Sequence, residues 1–204
     1  MTQLEKRVID LSYKLGLSHI GSCINAVNVI DHVYSVRKKK DPVVLSSGHM
    51  GLALYVVLEK REKKNAEELF KKHGVHPCRN MTDGIWCSTG SLGQGLTVAI
   101  GMAMADRSRN VYVVTSDGEM AEGSCWEALR VASELRLENL RISVIANGYS
   151  ALGKTDTELL DLRMQYFYPS LMVKTNLFEY PSFLQGLQGH YKVLTKEEYG
   201  QITR

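Results

Sequence analysis

The 204 residues are 44% hydrophobic and 23% charged, an ordinary globular composition that argues against a disordered tail. Lysine plus arginine exceeds aspartate plus glutamate by 25 against 22, too weak a balance to demand nucleic acid or a membrane surface. The longest apolar run, around residues 96–105, is about half the roughly 20 residues needed to span a bilayer.

The first residues lack the basic-then-apolar layout of a secretion signal. Cys23, Cys78, Cys87 and Cys125 show no Cys-x-x-Cys spacing, so reduced, packed thiols in a cytoplasmic protein are expected. No repeat or linker divides the chain, and its length predicts a single domain over residues 1–204.

Leu4, Val8, Leu11 and Leu15 stand at helical spacing, and Gly16 stops that helix. A second helix is predicted from residue 26 to about 36, ending in the basic cluster Arg37, Lys38, Lys39 and Lys40, a solvated helix end. Val43, Val44 and Leu45 follow Pro42 as a short buried strand. Helices are expected over 49–60 and over 66–73, the latter capped by Asn65. The run 96–105 reads as a buried helix.

Residues 111–115 and 142–146 read as strands with a helix over 122–135 between them, a parallel βαβ unit. Residues 171–173 and 191–194 are weaker strand candidates, and Thr155 with Glu158 and Thr195 with Glu198 fit capping boxes. The alternation implies an α/β fold, an open, mostly parallel sheet with helices on both faces. Such sheets bind ligands at the carboxyl ends of their strands.

Two strand ends carry chemistry there. Asp117 and Gly118 follow the first strand of the βαβ unit, and Asn147, Gly148 and Tyr149 follow the second. Neighbouring strands lie about 4.8 Å apart, so a carboxylate, an amide oxygen and a backbone carbonyl can meet one hard cation. Gly118 admits a phosphate to the backbone, and the following helix N-terminus favours its charge. The same residues also suit plain turns.

Further motifs lie along the chain: His19-Ile20-Gly21, Ser46-Ser47-Gly48-His49, His76-Pro77 and Gly90-Ser91-Leu92-Gly93-Gln94-Gly95. In this order, with Asp117-Gly118, Glu122-Gly123 and Asn147, they resemble the thiamine-diphosphate-binding domain of transketolases from about residue 8 to 153. The resemblance implies that Asp117, Asn147 and the Tyr149 carbonyl hold Mg²⁺ (or Ca²⁺ or Mn²⁺) and, through it, the diphosphate. It assigns Gly118 and His49 to the diphosphate, Gly90 and Leu92 to the aminopyrimidine, and Glu122 to a place near the cofactor. His19 and His76 would face the sugar and the reacting carbon, suited by an imidazole pKa near neutrality. His32, His73 and His190 read as packed or surface residues, and the family's later histidine has no match.

Departures are few: Ser116 stands for a usual Gly, Gly148 for a frequent Asn, and Ile20 and Ser91 for common prolines. In the family, a glutamate on a second domain activates the pyrimidine ring, and 204 residues leave no room for it. The resemblance therefore implies half of a split transketolase, catalytically silent alone. It would pair with a separately encoded pyrimidine-domain subunit, self-associate to a heterotetramer, and act on sugar phosphates. Two other readings stand beside it: a deoxyxylulose-phosphate synthase-like subunit, and a non-catalytic cofactor-binding module.

Overall fold

In α1 (Gln3–Leu15), Thr2 and Glu5 form a reciprocal capping box, and Gly16 closes the helix in the left-handed conformation at φ 64°. The computed structural model describes residues 1–150, 152–169, 172–175 and 181–203. Helix α2 (Ile20–Val36) begins six residues earlier than its sequence suggests. Its N-cap is His19, which offers no side-chain cap, so no cap signal announces it. Strand β1 (Val43–Leu45) leads through a single 3₁₀ turn at Gly48–Met50 into α3 (Gly51–Glu62). Helix α4 (Ala66–His73) comes next, with the Asn65 side chain accepting from the Glu67 and Glu68 N–H groups.

Helix α5 (Gln94–Ala105), β2 (Val111–Ser116), α6 (Gly123–Glu134) and β3 (Leu140–Ala146) complete the centre. Beyond β3 lie a hairpin of β4 (Tyr149–Ser150) and β5 (Gly153–Lys154), then α7 (Thr157–Phe167), which crosses to β6 (Met172–Thr175). Among the described residues β1, β2, β3 and β6 form one sheet in that order, every pair parallel. Helices α8 (Gly186–His190) and α9 (Lys196–Ile202) return to the N-terminal helices.

Alternate strand residues serve opposite faces, as the period of two requires. Val43, Leu45, Val114 and Ile145 pack with α1, α2 and α3, whereas Val44, Val113, Ile142 and Val144 pack with α5, α6 and α7. The expected parallel sheet with helices on both faces is thus observed. Among the described residues, no helix is long and apolar enough to cross a membrane.

Several local expectations fail, each for a visible reason. Residues 191–194 form no strand: they lie between α8 and α9 and, among the described residues, pair with no strand. Leu171 lies outside the described residues, and the strand there is β6. Thr155 does not cap α7; Asp156 does, accepting from the Leu159 N–H, because its short carboxylate stands one residue nearer the first turn. The Thr195 and Glu198 capping box is present as expected. Helix α5 buries only one face, leaving Val98 and Met104 exposed.

Candidate functional site at the strand ends

The ends of β1, β2 and β3 open on one side of the sheet, and their register sets the spacing of the loops beyond them. Ser116 pairs with Ile145, and the Asp117 N–H continues the ladder to the Ile145 carbonyl at 2.9 Å. Asp117 is buried, with one carboxylate oxygen accepting from the Gly118 N–H at 2.9 Å and the other from the Gly148 N–H at 2.8 Å. That second bond ties the β2 end to the loop carrying Asn147 and Tyr149. Asn147 in turn accepts the Tyr149 N–H at 3.0 Å through its side-chain oxygen, an Asx turn. A Cβ on Gly118 would stand 3.5 Å from the Tyr149 carbonyl oxygen and 3.1 Å from Ser150 Cα, so a larger residue would crowd this corner.

Three oxygen donors therefore gather at one corner: the Asp117 carboxylate, the Asn147 amide and the Tyr149 carbonyl. Burial pushes the Asp117 carboxyl up to about 6, against the pull of its backbone hydrogen bonds. No lysine or arginine pairs with it among the described residues. A buried carboxylate without a protein cation, beside two neutral oxygens, fits a small hard cation.

Histidines line the neighbouring wall. His19 and His49 ring centroids stand 5.4 Å apart, and His190 stands 4.4 Å from His19 and 5.6 Å from His49. The His19 N–H donates to the His190 carbonyl at 3.0 Å. His19 holds φ 60°, a left-handed conformation unusual outside glycine and here fixed by the α2 N-terminus.

Burial lowers His19 to about 4 and His49 to about 3, helped by the neighbouring imidazoles; burial alone lowers His190. All three are neutral near pH 7. Among the described residues, buried His19 Nδ1 and Thr89 Oγ1 have no hydrogen-bond partner, so each has a polar valence to offer a ligand.

His76 is exposed and reaches the same wall from the loop after α4. Its ring packs on Gly90, whose φ of 144° and close approach exclude a side chain: a Cβ there would stand 3.0 Å from His76 Cγ. Leu92 is half-buried two residues on. Glu122 is exposed at the N-cap of α6, and its Cβ lies against Gly93, so the glycine loop and the β2 end meet there.

His49, Gly90, Leu92, Gly118, Glu122, Asp117, Asn147 and Tyr149 are thus drawn to one side of the sheet with His19 and His76. His190 corrects the sequence reading. It is no isolated packed histidine but a member of the cluster, brought there by α8 against α2. Its neighbours Gly189 and Tyr191 carry no motif that would have revealed it. His73, by contrast, is the packed residue expected, bonded to Asp83 at 2.8 Å. Glu119, next to the Asp117-Gly118 motif, carries no expectation from the sequence, yet it is fully buried beside the oxygen corner.

An open parallel sheet with a hard-oxygen corner and a histidine wall at its strand ends defines a ligand-binding α/β domain. The family described as transketolase, thiamine diphosphate binding domain matches residues 14–169, and the chain belongs to the transketolase family. The match extends past residue 153, where the sequence resemblance was expected to fade.

An apulose-4-phosphate transketolase subunit of Phocaeicola vulgatus is 32% identical over 177 residues, covering 77% of this chain and 62% of that protein. The 6-deoxy-6-sulfo-D-fructose transketolase subunit SqwG of a Clostridium species is 35% identical over 157 residues, 67% of this chain and 57% of that protein. Human transketolase is 34% identical over 182 residues, 78% of this chain but 28% of its own length.

A Pichia stipitis transketolase structure in complex with fructose 6-phosphate superposes with TM-score 0.65 at 23% identity, covering 81% of this chain and 31% of that one. The Campylobacter jejuni transketolase gives 0.63 at 18%, covering 86% and 38%. These two establish the shared fold. The chain spans about three fifths of the length of the two subunit relatives.

Proposed function

We propose that this chain is the diphosphate-binding subunit of a transketolase-like enzyme, moving a two-carbon ketol unit from a ketose phosphate to an aldose phosphate. The observation that carries it is the Asp117, Asn147 and Tyr149 oxygen corner beside Gly118, at the strand ends of a thiamine-diphosphate-binding domain. Residues 1–204 act as one domain. Asp117 and Asn147 give side-chain oxygens and Tyr149 its carbonyl to Mg²⁺, and Gly118 leaves room for the diphosphate. Thiamine diphosphate, when bound, supplies the carbanion chemistry of ketol transfer.

The protein's own part is binding and proton handling. His49, four residues beyond the end of β1, contributes to the diphosphate side, while Gly90 and Leu92 border the ring. His19, His76 and His190 present imidazoles to the sugar. The first and last are held neutral near pH 7, so their ring nitrogens can both accept and donate toward hydroxyls.

Glu122, exposed at the α6 N-cap, is the carboxylate available to a second chain. A separate pyrimidine-domain subunit supplies the ring-activating acid, and two relatives named as transketolase subunits support that division. The complex acts in the cytoplasm, on sugar phosphates rather than nucleic acid or membranes.

The test is twofold. Titration calorimetry of the chain with thiamine diphosphate and Mg²⁺ should give saturable, metal-dependent heat. Ketol transfer should appear only on adding a pyrimidine-domain partner, with gel filtration showing a larger complex of two chains of each kind. Transfer by the purified chain alone at about 1 s⁻¹ or more would falsify the split site.

A further inference from the structure

Glu119 is fully buried, two residues from Asp117, and its carboxylate accepts four hydrogen bonds. One oxygen takes the Ser46 hydroxyl at 2.7 Å and the Gly93 N–H at 2.8 Å. The other takes the Ser47 hydroxyl at 2.6 Å and the Thr115 hydroxyl at 2.7 Å. The Glu119 N–H donates to Ser116 Oγ, which stands 2.9 Å from Ser47 Oγ. Its carbonyl receives Cys125 Sγ at 3.3 Å, fastening this turn to α6.

The four donors come from three separate segments: the β1 end, strand β2 and the glycine loop before α5. A buried carboxylate is costly unless its lone pairs are met, and well-packed apolar residues often serve stability equally well. What an apolar side chain cannot do is fix three segments in register through directional bonds. Each segment leads to a residue of the site. Ser47 precedes His49 by two residues, Gly93 follows Gly90 by three, and Asp117 precedes Glu119 by two.

We propose that Glu119 is a positioning residue, clamping the Ser46–Ser47 turn and the glycine loop to the β2 end so that His49, Gly90 and Asp117 face one ligand. Its consequence for binding rests on the cofactor reading, but the clamp itself is a property of the free chain. All four bonds go to protein donors, so Glu119 acts through its neighbours and not on substrate.

The test compares wild type with Glu119→Gln, which keeps the shape but has one acceptor oxygen where the carboxylate has two. In hydrogen exchange of the full chain, peptides covering 46–50 and 88–95 should exchange about tenfold faster in the variant, with α1 and α9 unchanged. Titration with thiamine diphosphate and Mg²⁺ should show affinity about tenfold weaker, the loss of directional bonds to a charged group. Thr115→Val, which removes one donor without touching Gly93, should leave 88–95 near wild type.

Exchange of both loops within twofold of wild type overturns the clamp, and loosened loops with unchanged affinity overturn its positioning role. If Glu119→Gln exchanges faster everywhere, Ser46→Ala keeps the carboxylate and its bond to Gly93, and then 46–50 should exchange faster with weaker affinity, whereas 46–50 within twofold of wild type overturns the clamp. A wild-type chain that gives no binding heat counts against the cofactor reading, while the exchange comparison still decides the clamp.

Discussion

The oxygen corner and the histidine wall face the same opening but are assembled in different ways. Asp117, Asn147 and Tyr149 follow adjacent strands, so the parallel register of β2 and β3 brings them together through nearby backbone bonds. His19, His49 and His190 come from three distant segments, and the packing of α8 on α2 helps bring them together. A site written into sheet register tolerates change elsewhere in the molecule. A site written into helix packing depends on the whole molecule being folded.

The largest break in this comparison is Asp117→Ala or Asn147→Ala. Either should weaken thiamine diphosphate binding in the presence of Mg²⁺ by about 100-fold, since a metal oxygen and the charge balance of the diphosphate go together. The fold should persist, because the sheet ladder does not use these side chains. Calorimetric affinity within threefold of wild type would remove that residue from the metal set.

Next come the histidines. In the assembled enzyme, His19→Ala, His76→Ala and His190→Ala should each lower turnover by roughly 100-fold, the lower range for a lost acid–base group, with cofactor affinity nearly intact. His49→Ala should weaken the cofactor as well. Equal loss of cofactor affinity in all four would contradict the division between sugar-facing and diphosphate-facing rings.

Acid separates the two regions through stability. His19 and His49 have folded pKa values near 4 and 3, below their ordinary value of 6.5, so the unfolded chain takes up protons first as pH falls. Their contribution is therefore present above about 6.5 and lost progressively toward 4. Asp117 has the opposite sign, so a difference measurement is needed. Between pH 7 and 4.5, the melting temperature of wild type should fall roughly 5–10 °C further than that of His49→Asn. Parallel curves would mean that His49 is not held neutral by burial.

The smallest effect sharpens the oxygen corner. Gly118→Ala places a Cβ 3.1 Å from Ser150 Cα at an ordinary helical φ, so crowding rather than backbone strain is tested. Cofactor affinity should drop about fivefold, equivalent to ~1 kcal/mol of overpacking, with melting almost unchanged. A drop in melting with affinity intact would place the crowding in the hairpin rather than the cleft.

Legibility in the sequence divides along the same line. Strands β1, β2 and β3, helix α6 and the oxygen corner were readable because apolar runs, strand-end polar residues and glycines are local signals. The start of α2 was not, since His19 caps it by backbone conformation alone. Residues 191–194 read as a weak strand candidate, but among the described residues they pair with no strand. His190 carries no local signature, and its place in the cluster depends on a contact with His19 at the other end of the chain. Glu119 was visible as an acidic residue beside a motif, but the convergence of Ser46, Ser47, Thr115 and Gly93 upon it is tertiary.

The hydrogen bond from the His19 N–H to the His190 carbonyl has a consequence for the order in which the protein matures. Domains tend to fold as the chain emerges from the ribosome, N-terminal part first. Strands β1 to β3 and the residues proposed to hold the metal all lie within the first 150 residues, so they leave the ribosome before α8 does. The histidine wall must wait for α8. On the proposed reading, a product cut short before α8 would keep the oxygen corner but lack His190, and would compete with the full chain for the cofactor without completing the histidine wall.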